Sequence, residues 1–195
     1  MCIHIQSVTY MHPDKDVLFS NVSFSMGKGE KVALIGNNGS GKSTLMQLIT
    51  KELSPSEGEV ICLEPPYYIP MQLLSGGEKT KVFLAGIALH SPSFILMDEP
   101  TNHLDDVSRG KLYRFITSTS SGMLVVSHDR ILLNLLSSTY ELTSKGVIYY
   151  AGNYDFYKEQ KELAVQALQA RLEENGKQLQ KARRQAREVL SLIHI

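Results

Sequence analysis

The chain has 195 residues, 43% of them hydrophobic, enough to bury one substantial core and a modest appendage. Twenty basic residues balance twenty acidic ones, so whole-chain charge gives no argument for a nucleic acid or a membrane surface, and any such preference must be local. No run approaches the roughly 20 apolar residues that cross a bilayer, the first residues lack the pattern of a signal peptide, and Cys2 and Cys62 sit in no metal-ligand spacing, so the chain reads as a reduced, cytoplasmic protein.

In chain order, residues 3 to 26 alternate apolar and polar positions, with a break at Pro13 to Asp16, which predicts antiparallel strands. A turn at Gly27-Lys28-Gly29-Glu30 precedes the apolar strand Val32 to Ile35. A glycine-rich loop follows, then a helix from Ser43 to Leu53 closed by Pro55 and Gly58. The pattern next predicts a helix over Ser75 to His90, a buried strand at Phe94 to Met97, a helix near Val107 to Thr117 and a strand at Met123 to Val126. Such alternation favours a parallel sheet covered by helices. After a strand pair near Tyr140 and Val147 to Tyr150, a Gln-, Glu-, Lys-, Arg-, Ala- and Leu-rich stretch from Asp155 to Leu190 reads as one long helix, extending about 54 Å at about 1.5 Å per residue. Asn175-Gly176 marks where it would kink or turn back.

Three segments carry chemistry. Gly36-Asn37-Asn38-Gly39-Ser40-Gly41-Lys42-Ser43 matches the phosphate-binding pattern GxxxxGK[ST] between a strand and a helix. Its backbone N–H groups curl around phosphates, with Thr44 in the first helical turn; Lys42 reaches the β and γ phosphates of ATP, and Ser43 is a ligand for Mg²⁺. The strand Phe94 to Met97 ends in Asp98 and Glu99, one carboxylate placed for the Mg²⁺ shell and the other for water. Tyr10, 32 residues before Lys42, is the candidate to stack on adenine, and an inward-facing core Tyr is the alternative.

Leu74-Ser75-Gly76-Gly77-Glu78 resembles the signature of ATP-binding cassettes, where Ser75 and Gly77 would meet the γ-phosphate of a nucleotide held by a different cassette. Asn102-His103-Leu104-Asp105 resembles the D-loop, and Ser127-His128-Asp129 the switch histidine. Together with Glu-Pro-Thr-Asn-His-Leu-Asp and Tyr150-Ala151-Gly152-Asn153-Tyr154-Asp155, these strings resemble ABC-F proteins over nearly residues 3 to 190. The resemblance implies a P-loop NTPase fold of the ABC type: an α/β cassette with a mixed, largely parallel core sheet flanked by helices, an N-terminal antiparallel β layer and a long C-terminal helix. Residues 1–154 would form the cassette and 155–195 the start of an inter-cassette linker.

It further implies ATP and Mg²⁺ as ligands, Glu99 and His128 as catalytic groups, and a second cassette as partner, whether a missing half or a second copy. Ribosome and tRNA would be contacted through the linker helix, without a membrane. Independently, Lys177, Lys181, Arg183, Arg184 and Arg187 give five positive charges with no acid between them, suiting either an RNA backbone or a solvated basic face.

Two departures qualify the likeness. Tyr67-Tyr68-Ile69-Pro70-Met71-Gln72 runs straight into the signature, so the helical subdomain of the family is expected to be missing, and Gln72 stands one residue from the family's metal-sensing glutamine. No second cassette follows the linker, which suggests a truncated product. A transporter's nucleotide-binding subunit and a fragment that binds ATP without turnover are the competing expectations.

Overall fold

In the computed structural model, which describes residues 3–12, 14, 16–69, 85–87 and 89–193, the alternating opening forms strands β1 (Ile3–Met11) and β2 (Val17–Met26). They pair antiparallel, Ile3 opposite Met26 and Tyr10 opposite Phe19, with register shifts between Ile5 and Met11. Ile3, Ile5, Val8, Val22, Phe24 and Met26 are buried, as strand side chains alternating between two faces require. A further strand, β4 (Glu57–Cys62), pairs antiparallel with the other edge of β1 and completes a three-stranded layer.

The larger sheet gathers β3 (Lys31–Ile35), β5 (Tyr67–Ile69), β6 (Phe94–Asp98), β7 (Gly122–Val126), β8 (Ser138–Thr143) and β9 (Gly146–Tyr150) in the order β5-β6-β7-β3-β8-β9. All neighbours are parallel except β8 and β9. Every residue of β6 and β7 is buried, which explains why they read as unbroken apolar runs. Gly122 is required where β7 begins: a Cβ there would lie 2.6 Å from the Phe94 ring. Helices α1 (Lys42–Ile49), α2 (Asp106–Ser118) and α3 (Arg130–Asn134) belong to the same unit, Met1–Asp155. The core lies where the antiparallel layer and α1 meet the parallel sheet, with Phe19, Leu34, Leu45, Leu48, Leu96 and Leu124 at most 1% exposed.

The sequence expectation misses β4, β5 and α3, and it runs the first helix too far. That helix ends at Ile49 because Lys51 takes a left-handed conformation, φ 64°, and reverses the chain. Of the helix expected over Ser75 to His90, residues 85–87 and 89–90 are described and helical.

The second unit, Phe156–Ile195, consists of α4 (Tyr154–Ile193), whose start overlaps the first unit. It runs as one helix through Asn175-Gly176, without turning back. Its 40 residues span about 60 Å at about 1.5 Å per residue. Gly176 faces open space, and its penalty of about 1 kcal/mol is small within so long a helix.

Candidate functional site

The carboxyl ends of β3, β6 and β7 open on one cleft of about 460 Å³, where a parallel sheet presents its loops and helix N-termini to a ligand. From β3 the chain enters the phosphate-type loop. Gly41 sits at φ 94°, and a Cβ there would lie 2.7 Å from Leu18 and 2.8 Å from the Phe19 ring, so only glycine fits. Gly36 is equally confined: its Cβ would meet Leu142 O and Ser40 Oγ at 2.7 Å. Gly39, by contrast, has nothing within 4 Å.

α1 begins at Lys42 with no side-chain cap and no acidic residue in its first turn, leaving its first N–H groups and positive dipole end to an anion. Lys42 Nζ meanwhile donates to Gly36 O at 2.8 Å and Asn37 O at 3.0 Å. Burial lowers the Lys42 pKa, and the charges of Glu99 and Asp98 oppose that shift. The buried Ser40 hydroxyl has no hydrogen-bond partner. A buried polar atom without a partner, a cradle of confined glycines and uncapped amides together fit a polyphosphate.

Across the cleft, β6 ends in Asp98 and Glu99, 4% and 7% exposed. Two buried carboxylates facing one lysine leave negative charge that a divalent cation would balance. Ser43 and Asp98 both line the cleft and fit Mg²⁺, which keeps waters and substrate oxygens rather than an all-protein cage. Among the described residues no cluster of three or more His, Cys, Asp or Glu could hold a metal.

Glu99 is held in the left-handed region at φ 49°, its N–H donating to Val126 O at 2.8 Å. Its carboxylate meets His128 twice: Oε1 lies 3.4 Å from Nε2, and Oε2 accepts the His128 N–H at 3.3 Å. Burial raises the Glu99 pKa, and the charge and N–H of His128 pull it partly back. Behind His128, Ser127 Oγ lies 3.3 Å from Thr101 Oγ1 and accepts the Asp129 N–H at 3.1 Å. Asp129 caps α3 by accepting from Ile131 and Leu132, and also accepts from the Tyr113 hydroxyl.

Of the residues singled out from sequence, Asn38, Gly39, Gly41, Lys42, Ser43, Thr44, Asp98, Glu99, Asn102 and His128 line this cleft. Gly36, Asn37 and Ser40 shape the loop behind it. Tyr10 packs on Phe19 (ring centroids 6.3 Å apart) and does not line the cleft; the ring there is His12, edge-on to Tyr10 at 5.7 Å. His12, Leu18 and Val126 were not singled out by sequence, and only His12, a ring just before Pro13, left a readable signal. Ser75, Gly77 and Gln72 lie outside the described residues.

Residues 19–68 match the ABC transporter family model. The chain is 30% identical over 207 residues to a putative ATP-binding protein, YdiF, of Bacillus subtilis, covering 82% of this chain and 32% of that one. It is 30% identical to the ribosome protection protein VmlR of the same organism (84% and 36%) and 33% identical to the erythromycin resistance ATP-binding protein MsrA of Staphylococcus epidermidis (68% and 33%). ABC transporter F family member 2 of Arabidopsis thaliana matches at 29% over 80% of this chain and 30% of its own length.

The chain belongs to the ABC-F family. The cassette spans about a third of these relatives' length. Its fold matches an ATP-binding subunit of an ABC transporter with a TM-score of 0.71 at 20% identity, over 84% of this chain and 94% of that one. It also matches the dimeric MJ0796 cassette with 0.63 at 20% identity, over 74% and 96%. Among the described residues, no helix of the cassette is long and apolar enough to cross a membrane.

Proposed function

We propose that this cassette binds ATP with Mg²⁺ and hydrolyses it together with a second cassette, within a factor that acts on the ribosome. The observation that carries the chemistry is the meeting of Lys42, Ser43, Asp98, Glu99 and His128 around one cleft. The ribosomal assignment rests on the family and on the names of relatives, a ribosome protection protein and an erythromycin resistance protein.

Lys42 exchanges its two carbonyl partners for phosphate oxygens, while the loop amides and the open N-terminus of α1 offset the remaining charge. Ser43 and Asp98 hold Mg²⁺, which when bound neutralises phosphate charge. Glu99 takes the proton of the attacking water as its oxygen joins the γ-phosphorus and the bond to the ADP oxygen breaks, giving ADP and phosphate. His128 releases its hold on Glu99 and supports the γ-phosphate. His12 and Leu18 form the wall for the base, with Tyr10 behind His12. Ser75 and Gly77 are assigned to the nucleotide of the opposing cassette.

A shortened cassette is supported by the match to YdiF. Its 207 aligned positions take up 82% of this chain, about 160 residues, so roughly 47 positions of the alignment have no residue of this chain. Residues 155–195 are read as the start of the linker, and the basic run from Lys177 to Arg187 as the part that meets RNA.

Phosphate release by the chain and by Glu99→Gln tests the catalytic reading. The variant should turn over about 10²- to 10⁴-fold more slowly while still binding ATP; equal rates would refute the role of Glu99.

A further inference from the structure

Beyond the ends of β6 and β7 two buried hydroxyls meet: Thr101 Oγ1 lies 3.3 Å from Ser127 Oγ, the two residues being 4% and 6% exposed. Thr101 follows Glu99 by two positions and Ser127 immediately precedes His128, so each hydroxyl belongs to the loop that carries one member of the Glu99–His128 contact. The turn after β6 is strained. Glu99 and His103 both take left-handed conformations, φ 49° and 62°, and its internal bonds are long, Asn102 N–H to Glu99 O at 3.2 Å and Leu104 N–H to Thr101 O at 3.3 Å. Such a backbone keeps its shape only where its surroundings over-determine it. After β7, Ser127 Oγ also accepts the Asp129 N–H at 3.1 Å, closing a local turn with His128 at its middle.

We propose that Thr101 and Ser127 are a positioning pair, whose hydroxyl contact fastens the turn carrying Glu99 to the loop carrying His128 and so sets the carboxylate that activates water. Two other links run beside it. The Glu99 N–H donates to Val126 O at 2.8 Å, which fixes only where the turn begins. The His128 N–H donates to Glu99 Oε2 at 3.3 Å, a bond made by the reacting carboxylate itself and given up when that carboxylate turns to water. The hydroxyl pair stands behind the cleft, neither residue lining it, so it holds the two loops in register while Glu99 and His128 exchange partners. Its chemistry favours placing over packing. An apolar pair of the same shape would fill the space without desolvating two hydroxyls, and replacing both partners in that way is close to neutral for stability. What such a pair cannot supply is a directed contact of fixed length. The partner of the Thr101 hydroxyl is Ser127, whereas Ser127 serves both Thr101 and Asp129, so Thr101 is the cleaner position to change.

The kinetic consequence rests on the proposed hydrolysis; the geometry does not. Thr101→Val in the whole chain keeps the shape of the side chain and removes its hydroxyl. With Mg²⁺ATP its kcat should fall about 10- to 100-fold, the cost of a group displaced by up to about 1 Å, while KM stays within about twofold because Lys42 and its loop are untouched. Thr101→Ser, which keeps the hydroxyl, should turn over within about threefold of the wild type, and in a Ser127→Ala background Thr101→Val should change kcat by less than about twofold, since its partner is already gone. Amide hydrogen exchange of the nucleotide-free chain gives a readout without turnover. In Thr101→Val the His128 N–H should speed up at least about tenfold more than the amides of β7, whereas a general loss of stability would speed both alike. An unchanged kcat in Thr101→Val, a Thr101→Ser chain as slow as Thr101→Val, or exchange at His128 that rises no more than in β7 would overturn the pair. A wild-type chain that releases no phosphate would refute the hydrolysis reading alone, and exchange at His128 then decides the pair by itself.

Discussion

Glu99 and His128 hold each other at two points, carboxylate to ring at 3.4 Å and carboxylate to backbone N–H at 3.3 Å. The base proposed to activate water is thus tied to His128 through both ring and backbone. Its φ of 49° adds strain of the kind that persists at functional sites, worth about 1–3 kcal/mol.

The pairing has a pH signature. Burial raises the folded-state pKa of Glu99 above its ordinary value, so wild-type stability from this group is fully present below the ordinary carboxylate range and is lost as pH rises through the raised value. Glu99→Gln does not titrate. Its melting temperature should exceed that of the wild type at neutral pH, and the gap should close toward about pH 4, near the ordinary glutamate value. Thermal scans across that range check it; a gap independent of pH would contradict the burial argument.

Gly41→Ala should destabilise the chain by about 2 kcal/mol or more. It forces a left-handed conformation on alanine and drives a methyl into Leu18 and Phe19. Denaturant unfolding of both proteins measures it, and nucleotide binding should fall with it because the loop cannot keep its shape.

Lys51→Gly should do the reverse. Lys51 stands one residue past the C-cap of α1 in the left-handed region where glycine is favoured, and it does not line the cleft. Relieving it should stabilise the fold by about 0.5–1 kcal/mol, with turnover unchanged.

Tyr113→Phe removes the hydroxyl that Asp129 accepts at the N-terminus of α3 and should lower stability by about 1 kcal/mol. Burial first, and Asp129 second, push the Tyr113 pKa up to about 12, so the phenol remains a donor through neutral pH. Its contribution is complete below the ordinary tyrosine pKa of about 10 and is lost only as pH rises through the raised value. The melting difference from wild type should therefore stay constant between about pH 6 and about pH 9.

The phosphate-type loop and the ends of β6 and β7 were legible in sequence because each is an unbroken buried run closed by a polar motif. β4 was not: its six residues are mostly exposed, with two glutamates and a glycine, and it is a strand only because β1 lends it an edge. α3 has five residues, too few to show a period, and exists through the Asp129 cap. The position of Tyr10 was hidden by the register shifts in β1, which set it over Phe19 and leave His12 at the cleft wall; counting back from Lys42 cannot register an irregular strand. Gly176 signalled a break that did not occur, since one glycine among 40 helical residues carries a small penalty.

The most direct test of the account is the melting temperature of the whole chain with and without Mg²⁺ATP, beside Lys42→Ala. ATP at 100 times its dissociation constant should add about 2.7 kcal/mol to the wild type and far less to the variant. A folded wild-type chain that shows no shift, or a shift that Lys42→Ala retains in full, would contradict ATP binding at this cleft.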